Sequence, residues 1–169
     1  MNQKHLSRRT FLGATGATLL GSLIAMEGCS SGGGGTTINP PVDTNLSGVL
    51  RSSQQTASPV SSASGTVNVL IKSDASSIHV SANLTGLTGV TMAHIHVGRA
   101  GTNGPVIFPL FDAGGTPQNL TNINLTLVAS DLTAQPAAGV VTFDDALQFL
   151  SAGQCYINVH TTTNPSGEI

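Results

Sequence analysis

The residues best equipped for chemistry are three histidines carried on two segments. His94-Ile95-His96 lies inside the run Met-Ala-His-Ile-His-Val-Gly at 92–98, and His160 closes the run Cys-Tyr-Ile-Asn-Val-His at 155–160. Both runs alternate in the manner of half-buried strands. Successive strand side chains point to opposite faces. Ala93, Ile95 and Val97 therefore share one face, while His94 and His96 share the other, about 7 Å apart at their Cβ atoms. In the second run Cys155, Ile157 and Val159 have one parity, and Tyr156, Asn158 and His160 the other. Imidazole is a good ligand for copper and for zinc, and three of them leave a coordination position open for water or substrate. That chemistry requires the two strands to bring three ring nitrogens to one point at about 2 Å. The competing reading is that these are polar surface histidines bonded to the loops beside them. His79 also points outward but stands alone, and His5 lies in an N-terminal segment outside the fold.

The elements that must position these groups are short strands. Leu46, Gly48 and Leu50 alternate in a first strand. Val67, Val69 and Ile71 point inward from 65–72, and Ile78, Val80, Ala82 and Leu84 from 77–84; the polar turn between them predicts a β-hairpin. A turn at 85–89 leads into the His94/His96 strand, and a Gly/Asn/Pro loop at 98–105 leads into an apolar strand at 106–111. Ile123, Leu125 and Leu127 alternate within 122–128. One helix interrupts the strands: Thr142 caps its start with Asp145 three residues on, Gly153 ends it, and Ala146, Leu147, Phe149 and Leu150 form its apolar side. At least seven short strands separated by turn signals predict an all-β sandwich or small barrel with one short helix before the last strand. Asn103-Gly104-Pro105 and Asn164-Pro165-Ser166-Gly167 read as turn devices. Asp131 ends its strand or caps a turn. Glu168 has three readings: a partner for Arg99, an acceptor for a loop amide, or an oxygen ligand.

The chain of 169 residues begins with a segment of a different kind. Lys4, Arg8 and Arg9 form a basic start, and residues 13–26 are small, apolar and uncharged, too short for a span of roughly 20 apolar residues. Ser7-Arg8-Arg9-Thr10-Phe11-Leu12 resembles a twin-arginine (Tat) export signal. Cys29 follows a glycine and opens onto Ser-Ser-Gly-Gly-Gly-Gly, which resembles a bacterial lipoprotein cleavage site, although Met26 and Glu27 stand where such sites usually carry Leu and a small residue. The alternative is an ordinary cleaved signal. The expected organisation is an export signal at 1–28, a Ser/Gly/Pro-rich tether at 29–45 and one domain at 46–169. Cys155 then serves as a small buried hydrophobe, with no disulfide required. Beyond Cys29 there are three basic residues (Arg51, Lys72, Arg99) against seven acidic ones, a net charge of −4 with histidines neutral. This argues against nucleic acid as a partner. There is no Ser-His-Asp grouping in a credible context, no phosphate-cradling glycine loop and no Cys-x-x-Cys.

Several stretches together resemble the CHRD (chordin) domain family, in that family's order and spacing from about residue 46 to the end. They are His94-Ile95-His96-Val97-Gly98, Gly101-Thr102-Asn103-Gly104-Pro105-Val106, Ala129-Ser130-Asp131-Leu132, the run 153–161 and Asn164-Pro165-Ser166-Gly167-Glu168-Ile169. The family pattern continues past Gly-Glu-Ile, so the final strand is expected to be clipped at Ile169. The resemblance implies an immunoglobulin-like, superoxide dismutase-like Greek-key β-sandwich. It also implies that His94, His96 and His160 take the three copper-ligand places of copper/zinc superoxide dismutases. No histidine lies between His96 and His160, so the bridging imidazole and the zinc-loop histidines of those enzymes have no counterpart, and their full activity is not expected. Three functions follow as expectations. The first is an exported, lipid-anchored, non-catalytic binding module at the periplasm or cell surface, with a protein or extracellular ligand as partner and membrane contact only through the anchor. The second is a copper-binding, less readily zinc-binding, protein. The third is a structural envelope or matrix component.

Overall fold

The computed structural model describes residues 42–99 and 101–169, together with the backbone of a two-residue strand, β1 (Gly13–Ala14). Arg8, Arg9 and Cys29, and with them the export and lipidation expectations, lie outside the described residues.

Two antiparallel sheets face each other. The larger has the order β1-β2-β3-β4-β7, with β2 at Thr44–Arg51, β3 at Ser64–Ile71, β4 at Ile78–Thr85 and β7 at Asn122–Leu127. The smaller has the order β6-β5-β8, with β5 at Val90–Val97, β6 at Val106–Asp112 and β8 at Cys155–Thr161. The predicted hairpin is β3–β4, closed at residues 72–77 by a Lys72 N–H bond to the Ser77 carbonyl. Lys72 also pairs with Asp43 at 2.6 Å on the surface.

Alternation along each strand builds the core as the pattern requires. Leu46, Val69 and Val80 stand in register across β2, β3 and β4, and Ile71, Ile78 and Leu127 across β3, β4 and β7; all six are buried. From the smaller sheet Ala93, Ile95 and Val97 meet Val159, Ile157 and Cys155 as direct cross-strand neighbours, all buried. Removing this apolar surface from water is the main force holding the sheets together, at about 25 cal/mol per Å². Cys155 is a free thiol whose pKa burial pushes up to about 12, which makes it an inert part of the filling.

The helix α1 (Phe143–Ser151) carries the expected capping box, with the Thr142 hydroxyl accepting from the Asp145 N–H and the Asp145 carboxylate accepting from the Thr142 N–H. Gly153 follows its last turn in the left-handed conformation (φ +67°). Its buried face differs by one residue from the prediction. Phe143 packs edge-on to Phe108 at 5.9 Å, while Phe149 is only partly buried. The reason is rotational: Phe143, Ala146, Leu147 and Leu150 follow the 3.6-residue period, and Phe149 falls at the stripe's margin. Asp131 does cap a turn, accepting from the Val128 N–H at 2.8 Å.

Residues 164–169 return along the free edge of β8. The Val159 N–H donates to the Ile169 carbonyl at 2.9 Å, the Glu168 N–H donates to the Val159 carbonyl at 2.7 Å, and Ile169 enters the core. Of its three sequence readings, Glu168 follows the one that makes it an acceptor for a loop amide, that of Asn164, and it adds two hydroxyl donors. Its carboxylate accepts from the Ser61 hydroxyl at 2.6 Å and the Thr161 hydroxyl at 2.7 Å, because the returning segment lowers it between those two side chains rather than toward Arg99. Burial raises the pKa of this carboxyl, but the bonds from Ser61, Thr161 and Asn164 outweigh it and hold the group below its ordinary value. A depressed folded-state pKa stabilises the fold above the unfolded value of 4.5, and the contribution disappears as pH falls through the folded value. Glu168→Gln is therefore expected to cost about 1–3 kcal/mol in denaturant unfolding at pH 7. The gap to wild type should narrow as pH falls below 4.5 and through the folded-state value. A gap that stays the same at pH 7 and in acid would refute the assignment.

Candidate metal centre

The decisive question posed by the sequence is whether β5 and β8 are neighbours. They are, and their register sets the site. Met92 stands opposite His160, His94 opposite Asn158, and His96 opposite Tyr156. The three imidazoles consequently share the outer face of the smaller sheet. Ring centroids are 5.7 Å apart for His94–His96, 5.3 Å for His94–His160 and 6.4 Å for His96–His160. One ring nitrogen from each lies within 4.8 Å of those of the other two. Among the described residues, no other group of three or more His, Cys, Asp or Glu side chains is so placed. His79 is on the other sheet, where its Nδ1 meets the Thr126 hydroxyl at 3.2 Å, in keeping with its isolation in sequence.

The outer face is less exposed than the word suggests. His96 is buried, and His94 and His160 are half-buried. Loops provide the cover and fix the rings. His96 Nδ1 is 2.9 Å from the Gly104 carbonyl, and His160 Nδ1 is 2.8 Å from the Pro165 carbonyl. A carbonyl can only accept, so in the neutral ring each Nδ1 carries the proton and each Nε2 presents its lone pair. This is the arrangement by which outer-shell acceptors orient metal-binding histidines. His94 Nδ1 and His160 Nε2 are buried without a hydrogen-bond partner, and His96 Nε2 is sequestered beside them. Buried polar atoms are seldom left unsatisfied, so orphans converging on one spot call for a shared occupant. Burial, and after it the neighbouring His160, lower the pKa of His94, while Asp112 opposes them. That favours the neutral ring a metal needs.

The residues present fit a metal ion. Donor nitrogens each about 2 Å from one tetrahedral ion stand roughly 3.3 Å apart, so separations up to 4.8 Å close by modest ring rotation. His94, His96 and His160 would hold copper or zinc, and the ion would supply a Lewis-acidic open position. Glu168 does not join the donor group; its two oxygens accept from the Ser61 and Thr161 hydroxyls.

Two supporting residues lie beyond what sequence reasoning singles out. Tyr156 stacks on His96, centroids 4.9 Å apart and planes within 6°, and its hydroxyl accepts from the Gly104 N–H at 2.9 Å. Gly104 thus serves both rings with its two backbone groups. Its place in Asn-Gly-Pro marks it only as a turn residue, yet a Cβ there would fall 1.6 Å from the Val97 carbonyl oxygen. Gly167 is similar. At φ +118° it lies against buried Asn158, whose Oδ1 would be 2.2 Å from an added Cβ. The one sequence signal for Tyr156 is its parity, which matches that of His160.

Fold and cluster together define a two-sheet β-domain that groups three imidazoles at ligand spacing on the outside of its smaller sheet. The chain belongs to the CHRD domain family, whose sequence profile matches residues 46–169. No curated protein and no solved structure matches it significantly.

Proposed function

We propose that this protein is a non-catalytic metal-binding module of the cell envelope, holding one copper ion on His94, His96 and His160. The observation that carries the reading is the grouping of one ring nitrogen from each of His94, His96 and His160 within 4.8 Å of one another, with two of the rings oriented by backbone carbonyls. Copper is preferred to zinc because divalent affinities at a given nitrogen site peak at copper. Support for the location is sequence-based: the twin-arginine pattern at Arg8-Arg9 and the cysteine at position 29 fit an exported, lipid-anchored chain tethered by 29–45. The ligand bound by this chain is then the metal itself, and a protein or extracellular partner would meet the face of the smaller sheet that carries it.

The test is direct titration of the full chain, purified through its native export route, with copper and zinc salts against a chromophoric competitor. One equivalent of tightly held copper is expected. Retention of less than about a tenth of an equivalent after dialysis would defeat the metal reading. Growth in radiolabelled fatty acid should label the wild-type chain but not Cys29→Ser; equal labelling would remove the anchor.

A further inference from the structure

Three nitrogen donors leave the fourth position to be filled, and β5 carries a candidate that the histidine pattern conceals. Met92 has the same parity as His94 and His96, so its side chain leaves the sheet on the metal-ligand face. Its cross-strand partner is His160 on one side and Asp112 on the other. Directly opposed residues in an antiparallel pair have Cβ atoms about 5 Å apart, well within reach of an unbranched side chain with three rotatable bonds.

Core packing does not account for this methionine. It is 39 % exposed, among the few large hydrophobic side chains left in that condition, while Ala93 and Ile95 beside it are fully buried. Together with Thr91, Asp112, Ala113, Gly115 and Pro117 it lines a shallow cleft of about 230 Å³ whose walls include none of the three histidines. A thioether directly across the strand pair from His160, on the face that carries all three imidazoles, is a donor within reach of the group.

Resting on the three-histidine reading above, we infer that Met92 supplies the fourth ligand, and that its soft sulfur makes this a site for cuprous copper in preference to zinc. Thioether ligands select Cu(I), whereas carboxylates and water suit harder ions. The other sulfur of the sheet plays no part. Cys155 points into the core, so the thiolate required by blue-copper electron-transfer sites is missing from this face. Asp112 is the rival donor, being the opposite neighbour of Met92. A carboxylate there would bias the site toward zinc or cupric copper.

The experiment titrates the full-length chain anaerobically with Cu(I) and separately with Zn(II), for wild type, Met92→Leu, Asp112→Asn and His160→Ala. Leucine keeps the volume of methionine and removes only the sulfur. Met92→Leu should lose about tenfold in Cu(I) affinity and leave Zn(II) affinity unchanged. X-ray absorption of the copper-loaded wild type should show a sulfur neighbour that the variant lacks. Unchanged Cu(I) affinity with an all-nitrogen shell would overturn Met92 while the histidine site stood. Weaker Cu(I) binding by Asp112→Asn, with none lost in Met92→Leu, would overturn it equally. A wild type that binds neither ion would defeat the histidine reading itself, and Met92 with it.

Discussion

His160→Ala will lower copper affinity by about a hundredfold or more while leaving the fold intact. The size follows from the hierarchy of such sites: replacing a residue that merely orients a ligand typically costs about 10–100-fold, so deleting a ligand sits at or beyond the upper end. The fold should survive because His160 is half-exposed and its one hydrogen bond, to the Pro165 carbonyl, is on the surface. Thermal unfolding gives a second readout. A ligand present at about 100 times its dissociation constant stabilises the native state by about 2.7 kcal/mol, so copper should raise the melting temperature of wild type and not of the variant. A variant with wild-type copper affinity would mean that β8 contributes nothing to the site.

Gly104→Ala should be the most damaging single-methyl addition in the domain. Its Cβ would meet the Val97 carbonyl oxygen at 1.6 Å and the carbonyl carbon at 2.7 Å, both backbone atoms of the strand that carries the histidines. Neither can swing aside, so the loop must lift. Lifting it breaks the N–H bond to the Tyr156 hydroxyl and the carbonyl bond to His96 Nδ1. Two lost hydrogen bonds and a displaced loop together cost about 2–4 kcal/mol of unfolding free energy. Metal affinity should fall about 10–100-fold as His96 loses its orienting acceptor. Denaturant melts and copper titration on the same preparation check both halves. A variant normal in both would show that the loop does not hold the ring.

What the sequence discloses follows from locality. Strict alternation at 67–71 and 78–84 announces a hairpin, and parity alone puts His94 and His96 on one face and Ile95 on the other. The Thr142/Asp145 pair announces the helix start because both partners lie within one turn. The adjacency of β5 and β8 is another matter. About sixty residues separate His96 from His160, and no local preference encodes which strands pair across such a distance. Family resemblance supplies that expectation, and register then delivers it. Tyr156 shows only its parity in the sequence, because stacking on His96 depends on the two being opposite each other, which only pairing reveals. Glu168 is only half legible for a related reason. Asn164 and Thr161 are near it in the chain, but Ser61 lies 107 residues away in an irregular connection without any periodic signal.

The return of residues 164–169 along β8 couples the third histidine to a remote part of the chain. The carbonyl that steadies His160 belongs to Pro165, and the Glu168 clasp and the Ile169 plug hold that stretch in place. Ser61 lies in the connection between β2 and β3 of the larger sheet, so a disturbance there is expected to reach the acceptor that orients His160 on the smaller one.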